Sequence, residues 1–145
     1  MDHGFSKVIV LGAGAIGSFV GARLTAPTVL VGRREHVAAM LEHGLKISGL
    51  EDDRVEVEAS VTCPAIEADS LVLVTVKMGD IEHSGRILAP MLREDTEVAV
   101  LSNGLDPDRM LSRILGRPVR RVIVQLGVTL EGPGEVSSWG GALML

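Results

Sequence analysis

The segment Gly12-Ala13-Gly14-Ala15-Ile16-Gly17 constrains this chain more than any other feature. It follows a β-branched run at residues 7–11 and precedes Ile16, Val20 and Leu24, whose spacing of four gives one apolar helix face until Pro27 forbids continuation. A G-x-G-x-x-G turn between a strand and a helix has a specific physical use. The first glycine permits the tight turn, the second lets an anion approach the backbone, and the third lets the helix pack closely on the strand. The free N–H groups and positive end of the helix then hold a diphosphate. Gly12, Gly14, Ala15, Ile16 and Gly17 are therefore the predicted cradle of a dinucleotide.

The remaining pattern continues the alternation. Strands are predicted at residues 28–31, 71–76, 97–101 and 119–126. Helices are predicted at residues 34–43, stopped by Gly44, at 81–92 with an end or kink at Pro90, and from the N-cap pair Asp106-Pro107 to Gly116. A small hairpin fits residues 45–47 and 55–57 around Glu51, Asp52 and Asp53, and a tail hairpin fits 128–130 and 136–138 across residues 131–134. Such a sequence reads as an α/β, Rossmann-type doubly wound fold, with a mostly parallel sheet, helices on both faces, and residues 1–145 forming one domain. The only aromatic residues are Phe5, Phe19 and Trp139, so the core must be aliphatic.

Composition narrows the partners. Fourteen Lys and Arg against nineteen Asp and Glu give a net charge of −5, which argues against general binding to nucleic acid or to an anionic membrane. A lone Cys63 cannot form an internal disulfide and suits a reducing cytoplasm. The uncharged run after Lys7 also has the look of a secretory leader. Its four glycines and the early Arg23 favour a soluble strand, turn and helix instead. His3, His36, His43 and His83 lack zinc-ligand spacing, so no metal is expected.

The end of the second predicted strand selects the dinucleotide. An acidic residue there would bond a ribose 2′-hydroxyl, whereas an arginine pairs with a 2′-phosphate. The text reads Gly32-Arg33-Arg34, which predicts NADP(H) bound by Arg33, with Arg34 and His36 as candidate helpers. Glu35 dissents, although a carboxylate in the first turn of a helix also suits the helix dipole. Ligands in open parallel sheets lie beyond the carboxyl ends of the strands. Lys77 and Asn103 stand at two such ends. An ammonium there steadies a ribose or a substrate carboxylate, and an amide bonds nicotinamide and substrate. The alternatives are an exposed strand-end lysine and an ordinary Asn-Gly turn.

Several pieces together resemble the ketopantoate reductases (2-dehydropantoate 2-reductases). They are G-A-G-A-I-G-S at residues 12–18, G-A-R-L at 21–24, L-V-G-R-R-E-H-V at 30–37, the run ending in Lys77, N-G-L-D at 103–106 and E-G-P-G-E-V at 131–136. The resemblance implies that Arg33 contacts the NADP 2′-phosphate, that Lys77 lies on the nicotinamide side, and that Asn103 touches both cofactor and substrate. It also has departures. Ser102 stands where a glutamine is usual, the connection at residues 25–28 is short, and no histidine follows the tail hairpin near Trp139. Family members continue into a helical C-terminal domain that carries the catalytic lysine. That domain is not expected within these 145 residues, so no residue here is assigned as general acid.

The expected function is NADPH-dependent reduction of 2-dehydropantoate to pantoate, on the way to pantothenate and coenzyme A, with this chain as the cofactor-binding half. It would act with a small 2-keto acid and either as a homo-oligomer or with a separate C-terminal domain. Two alternatives stay open: a stand-alone nucleotide-sensing regulatory module, and a reductase of the same superfamily acting on another 2-keto acid.

Overall fold

A computed structural model describes residues 4–144. Strand β1 (Lys7–Leu11) lies at the centre because it has no outward face: Val8 and Val10 point into one core, and Ile9 and Leu11 into the other. It pairs in parallel with β2 (Thr28–Val31) on one side and β6 (Ser70–Val74) on the other. Beyond β6 come β7 (Glu97–Leu101) and β8 (Arg120–Gly132), and β5 (Glu58–Ser60) adds a short parallel edge to β2. Strand order therefore reverses at β1, which places a crevice at its carboxyl end.

Helices α1 (Ala15–Ala22) and α2 (Arg34–His43) pack on the face of Val10, Leu30 and Leu73 through Val20, Val37 and Met40. Helices α3 (Ile81–Leu88) and α4 (Pro107–Leu115) cover the other face, where Ile81, Leu88 and Leu111 are fully buried against Val72, Val74 and Val100. This is the doubly wound α/β arrangement expected from the sequence.

The far end of the sheet departs from it. Strand β8 runs on past β7, and its second half pairs antiparallel with β9 (Glu135–Met144). Strand β9 pairs in parallel with β3 (Leu45–Gly49), which forms a hairpin with β4 (Asp53–Val55). The result is one nine-stranded sheet, ordered β4-β3-β9-β8-β7-β6-β1-β2-β5. It curls so that β8, β9 and β3 also pack on α1. Two register irregularities, between Leu126 and Val128 and between Leu130 and Gly132, accompany the bend.

Several boundaries differ from expectation. The strand at 119–126 and the tail hairpin are one continuous pair of strands, because β8 changes partner without breaking. Helix α1 stops at Ala22, leaving Leu24 37% exposed, since Pro27 O already accepts the N–H of Val8 and the chain must turn before it. Strand β6 ends at Val74, and Thr75 and Val76 close over the glycine turn instead. Asp106 does precede α4, yet its side chain makes no capping bond. It sits at φ +50, and its carbonyl accepts the N–H of Met110. No helix among the described residues is long and apolar enough to cross a membrane.

Candidate dinucleotide-binding site

The glycine turn is built as a backbone surface. Gly12 takes φ +111, and a Cβ there would lie 2.7 Å from Val76 Cγ1 and 2.8 Å from its amide nitrogen. The N–H groups of Gly12 and Ala13 both donate to Val31 O, at 3.0 and 2.8 Å, tying the end of β1 to the end of β2. Gly12 O in turn accepts from Gly14 N at 2.8 Å and from Thr75 Oγ1 at 2.6 Å. A Cβ on Gly17 would fall 2.5 Å from both Gly12 O and Thr75 Oγ1, so only glycine lets α1 start this close.

Gly14 is different in kind. It is exposed, it is the N-cap of α1, and nothing lies within 4 Å of where its Cβ would be. The helical ladder begins with Ser18 N to Gly14 O at 3.0 Å, which leaves the N–H groups of Ala15, Ile16 and Gly17 ahead of any intrahelical acceptor. An open glycine in front of three such donors, at the positive end of a helix, is the geometry a diphosphate requires. The expected cradle therefore fits the group.

Arg33 and Arg34 open α2 at the end of β2, immediately beside this turn; a Cβ on Gly32 would come 3.2 Å from that of Ala13. Both arginines are exposed, and neither guanidinium has a hydrogen bond or ion pair among the described residues. Glu35 occupies the first turn of α2, on the exposed side. His36 does not join them. It is 5% exposed, with Nε2 2.8 Å from Ser18 Oγ and Nδ1 accepting the N–H of Gly134 at 2.8 Å. Burial holds its pKa below the ordinary histidine value. The apolar packing of Val37 and Met40 sets the helix face, and that face turns His36 inward.

Lys77 follows β6 in extended backbone, exposed, with its carbonyl accepting the N–H of Asp80. Asn103 follows β7. Its Nδ2 donates to Val124 O at 2.7 Å, and its Oδ1 accepts from Val124 N at 3.1 Å. The amide thus continues the sheet between β7 and β8, leaving one N–H and one lone pair for a ligand. The next residue is also held, with Gly104 O accepting from Arg121 Nη2 at 2.8 Å. Met78 packs against Gly104, so the loops after β6 and β7 touch.

The sheet therefore carries Arg33, the glycine turn, Lys77 and Asn103 at the carboxyl ends of β2, β1, β6 and β7, four consecutive neighbours spanning about 14 Å. Sequence reasoning missed Thr75, Arg121 and the Ser18–His36–Gly134 connection. A hydroxyl in an otherwise apolar β-branched run was the one visible sign of Thr75. Cys63 is half-buried, and burial raises its thiol pKa, which disfavours the thiolate.

Known proteins share this fold and part of this sequence. A 2-dehydropantoate 2-reductase of Pyrococcus horikoshii is 33% identical over 138 residues, covering 93% of this chain and 44% of that protein. The crystal structure of a PanE/ApbA family ketopantoate reductase from Ralstonia eutropha superposes with TM-score 0.87 at 32% identity, over 94% of this chain and 48% of that one. A D-mandelate dehydrogenase solved with NADH and anilino(oxo)acetate superposes with TM-score 0.79 at 25% identity, over 93% of this chain and 46% of that one. The chain thus spans under half the length of these relatives. The family model described as ketopantoate reductase PanE/ApbA matches residues 8–143, and the chain belongs to that family.

Proposed function

We propose that this chain is the NADP(H)-binding half of a reductase that converts 2-dehydropantoate to pantoate. The observation that carries the reading is the exposed Arg33-Arg34 pair, beside the glycine turn and free of any ion-pair partner among the described residues. Two guanidinium groups that no carboxylate pairs with suit a phosphate monoester, whereas a ribose hydroxyl is better served by a carboxylate. Gly12, Gly14 and Gly17, with the N–H groups of Ala15 and Ile16, would hold the diphosphate. Lys77 and the spare N–H of Asn103 would face the nicotinamide and the keto acid.

When bound, the reduced nicotinamide supplies a hydride to the C2 carbonyl carbon. The protein's part is to hold that carbon in reach, exclude water and bring a proton to the carbonyl oxygen. None of these residues is assigned to the last task, and holding the coenzyme is their proposed share of the reaction. The proton donor belongs to the helical domain implied by the family.

Titration of the protein with NADPH and with NADH, read by calorimetry, tests the reading. NADPH binding at least tenfold tighter is the expected result; equal affinity or a preference for NADH overturns it. The likeness to D-mandelate dehydrogenase supports a second reading, a reductase of another 2-keto acid. A panel of keto acids assayed with the partner domain present separates the two. Membership of the reductase family favours both over a nucleotide sensor.

A further inference from the structure

The strongest unassigned feature is the buried imidazole of His36. Gly134 N–H points at Nδ1, so that nitrogen carries a lone pair, and the neutral ring holds its hydrogen on Nε2, donating to Ser18 Oγ. Ser18 is fully buried in the first turn of α1, where its N–H makes the first helical bond to Gly14 O. His36 lies in the first turn of α2, directly after Arg33, Arg34 and Glu35. The bond between them joins the starts of the two helices, and it is the one polar side-chain contact between α1 and α2 among the described residues. The rest of the packing of these helices on the sheet is mainly apolar, through Val20, Val37 and Met40, which resists separation but does not fix register; Arg54 of β4 adds a bond to His43 O only at the far end of α2. The second bond, to Gly134, anchors the ring to the turn between β8 and β9, where Gly134 at φ +75 sits against Ala39.

We propose that His36 is a specificity-positioning residue: through Ser18 and Gly134 it sets the spacing between the diphosphate cradle on α1 and the arginine pair on α2, and thereby the preference for a 2′-phosphorylated coenzyme. The proposal rests on the NADP(H) reading above. A ligand with a 2′-phosphate must satisfy both helix starts together, so it senses their spacing. NADH relies on the first alone and is far less sensitive.

The test is the ratio of NADPH to NADH affinity, measured by titration on folded protein. His36→Phe fills the space without either bond, and Ser18→Ala cuts only the link to α1 while leaving the histidine in place. Each is expected to weaken NADPH about threefold to tenfold more than NADH, the effect of one lost directed bond. His36→Gln puts an amide N–H near the position of Nε2 and is expected to restore most of the ratio, whereas a purely packing role would not distinguish it from phenylalanine. If Ser18→Ala and His36→Phe weaken both coenzymes equally, or leave both unchanged while lowering only the melting temperature, the proposal is overturned. Arg33→Ala in the same titration keeps the two readings apart. An unchanged ratio there sinks the NADP(H) assignment itself, while a collapsed ratio with unaffected Ser18→Ala sinks only the role of His36.

Discussion

At the ends of β1 and β2 the proposed binding surface is the backbone itself, whereas at the ends of β6 and β7 the side chains proposed to face a substrate are partly engaged by their own fold. The first region is packed to the limit: Gly12 and Gly17 have no room for a Cβ, Thr75 and Val31 pin the turn, and only Gly14 is open. In the second, Asn103 bonds twice to Val124, Arg121 holds Gly104, and Leu105 protrudes with 88% of its surface exposed. Anion binding needs only N–H groups and charge held rigidly, which one strand-turn-helix provides. Ketone chemistry needs groups converging from several directions, and this edge offers them from one side.

That contrast can be broken by mutation. Gly17→Val is expected to have the largest effect, because its side chain would enter the space of Gly12 O and Thr75 Oγ1; a loss of about 3 kcal/mol in denaturant unfolding is expected. An unchanged midpoint would show the turn to be softer than described. Arg33→Glu should weaken NADPH about 100-fold with little change for NADH, since it replaces a charge-assisted bond by repulsion. Equal losses for both coenzymes would place the 2′-phosphate elsewhere.

On the other side, Asn103→Ala should cost about 1–2 kcal/mol of stability by orphaning the Val124 N–H, yet disturb NADPH binding less than Arg33→Glu does. The reverse order would mean that the grip on the coenzyme extends to β7. The smallest effect concerns pH. His36 has a folded-state pKa below its ordinary 6.5, so the native state favours the neutral ring. Its contribution is complete above that value and is lost as pH falls through 6.5 toward the folded pKa. Unfolding midpoints compared at pH 7.5 and pH 5 should drop more for the natural protein than for His36→Phe.

How much of this was legible depended on how local each cause is. The glycine turn, β2 at Thr28–Val31, β7 at Glu97–Leu101 and the start of α4 at Pro107 were readable because each leaves a local mark in the sequence, a glycine spacing, an apolar β-branched run or an Asp-Pro pair. Strand β5 was not, because Glu58-Ala59-Ser60 has no apolar pattern and exists as a strand only by pairing with the edge of β2. The inward turn of His36 was hidden for a different reason. Its partners lie 18 and 98 residues away, and nothing in the run Arg33-Arg34-Glu35-His36 separates a histidine facing solvent from one facing inward. Asn103 shows the same limit, its amide being matched to a strand 21 residues on.

The outward placement of Trp139 has a practical use. It is 60% exposed on β9, its indole nitrogen donates to Ser137, and the chain holds no tyrosine and no second tryptophan. Tryptophan emission from this protein therefore originates at one exposed spot on β9. Any molecule that comes to rest there will announce itself as a blue shift, without a dye or a label.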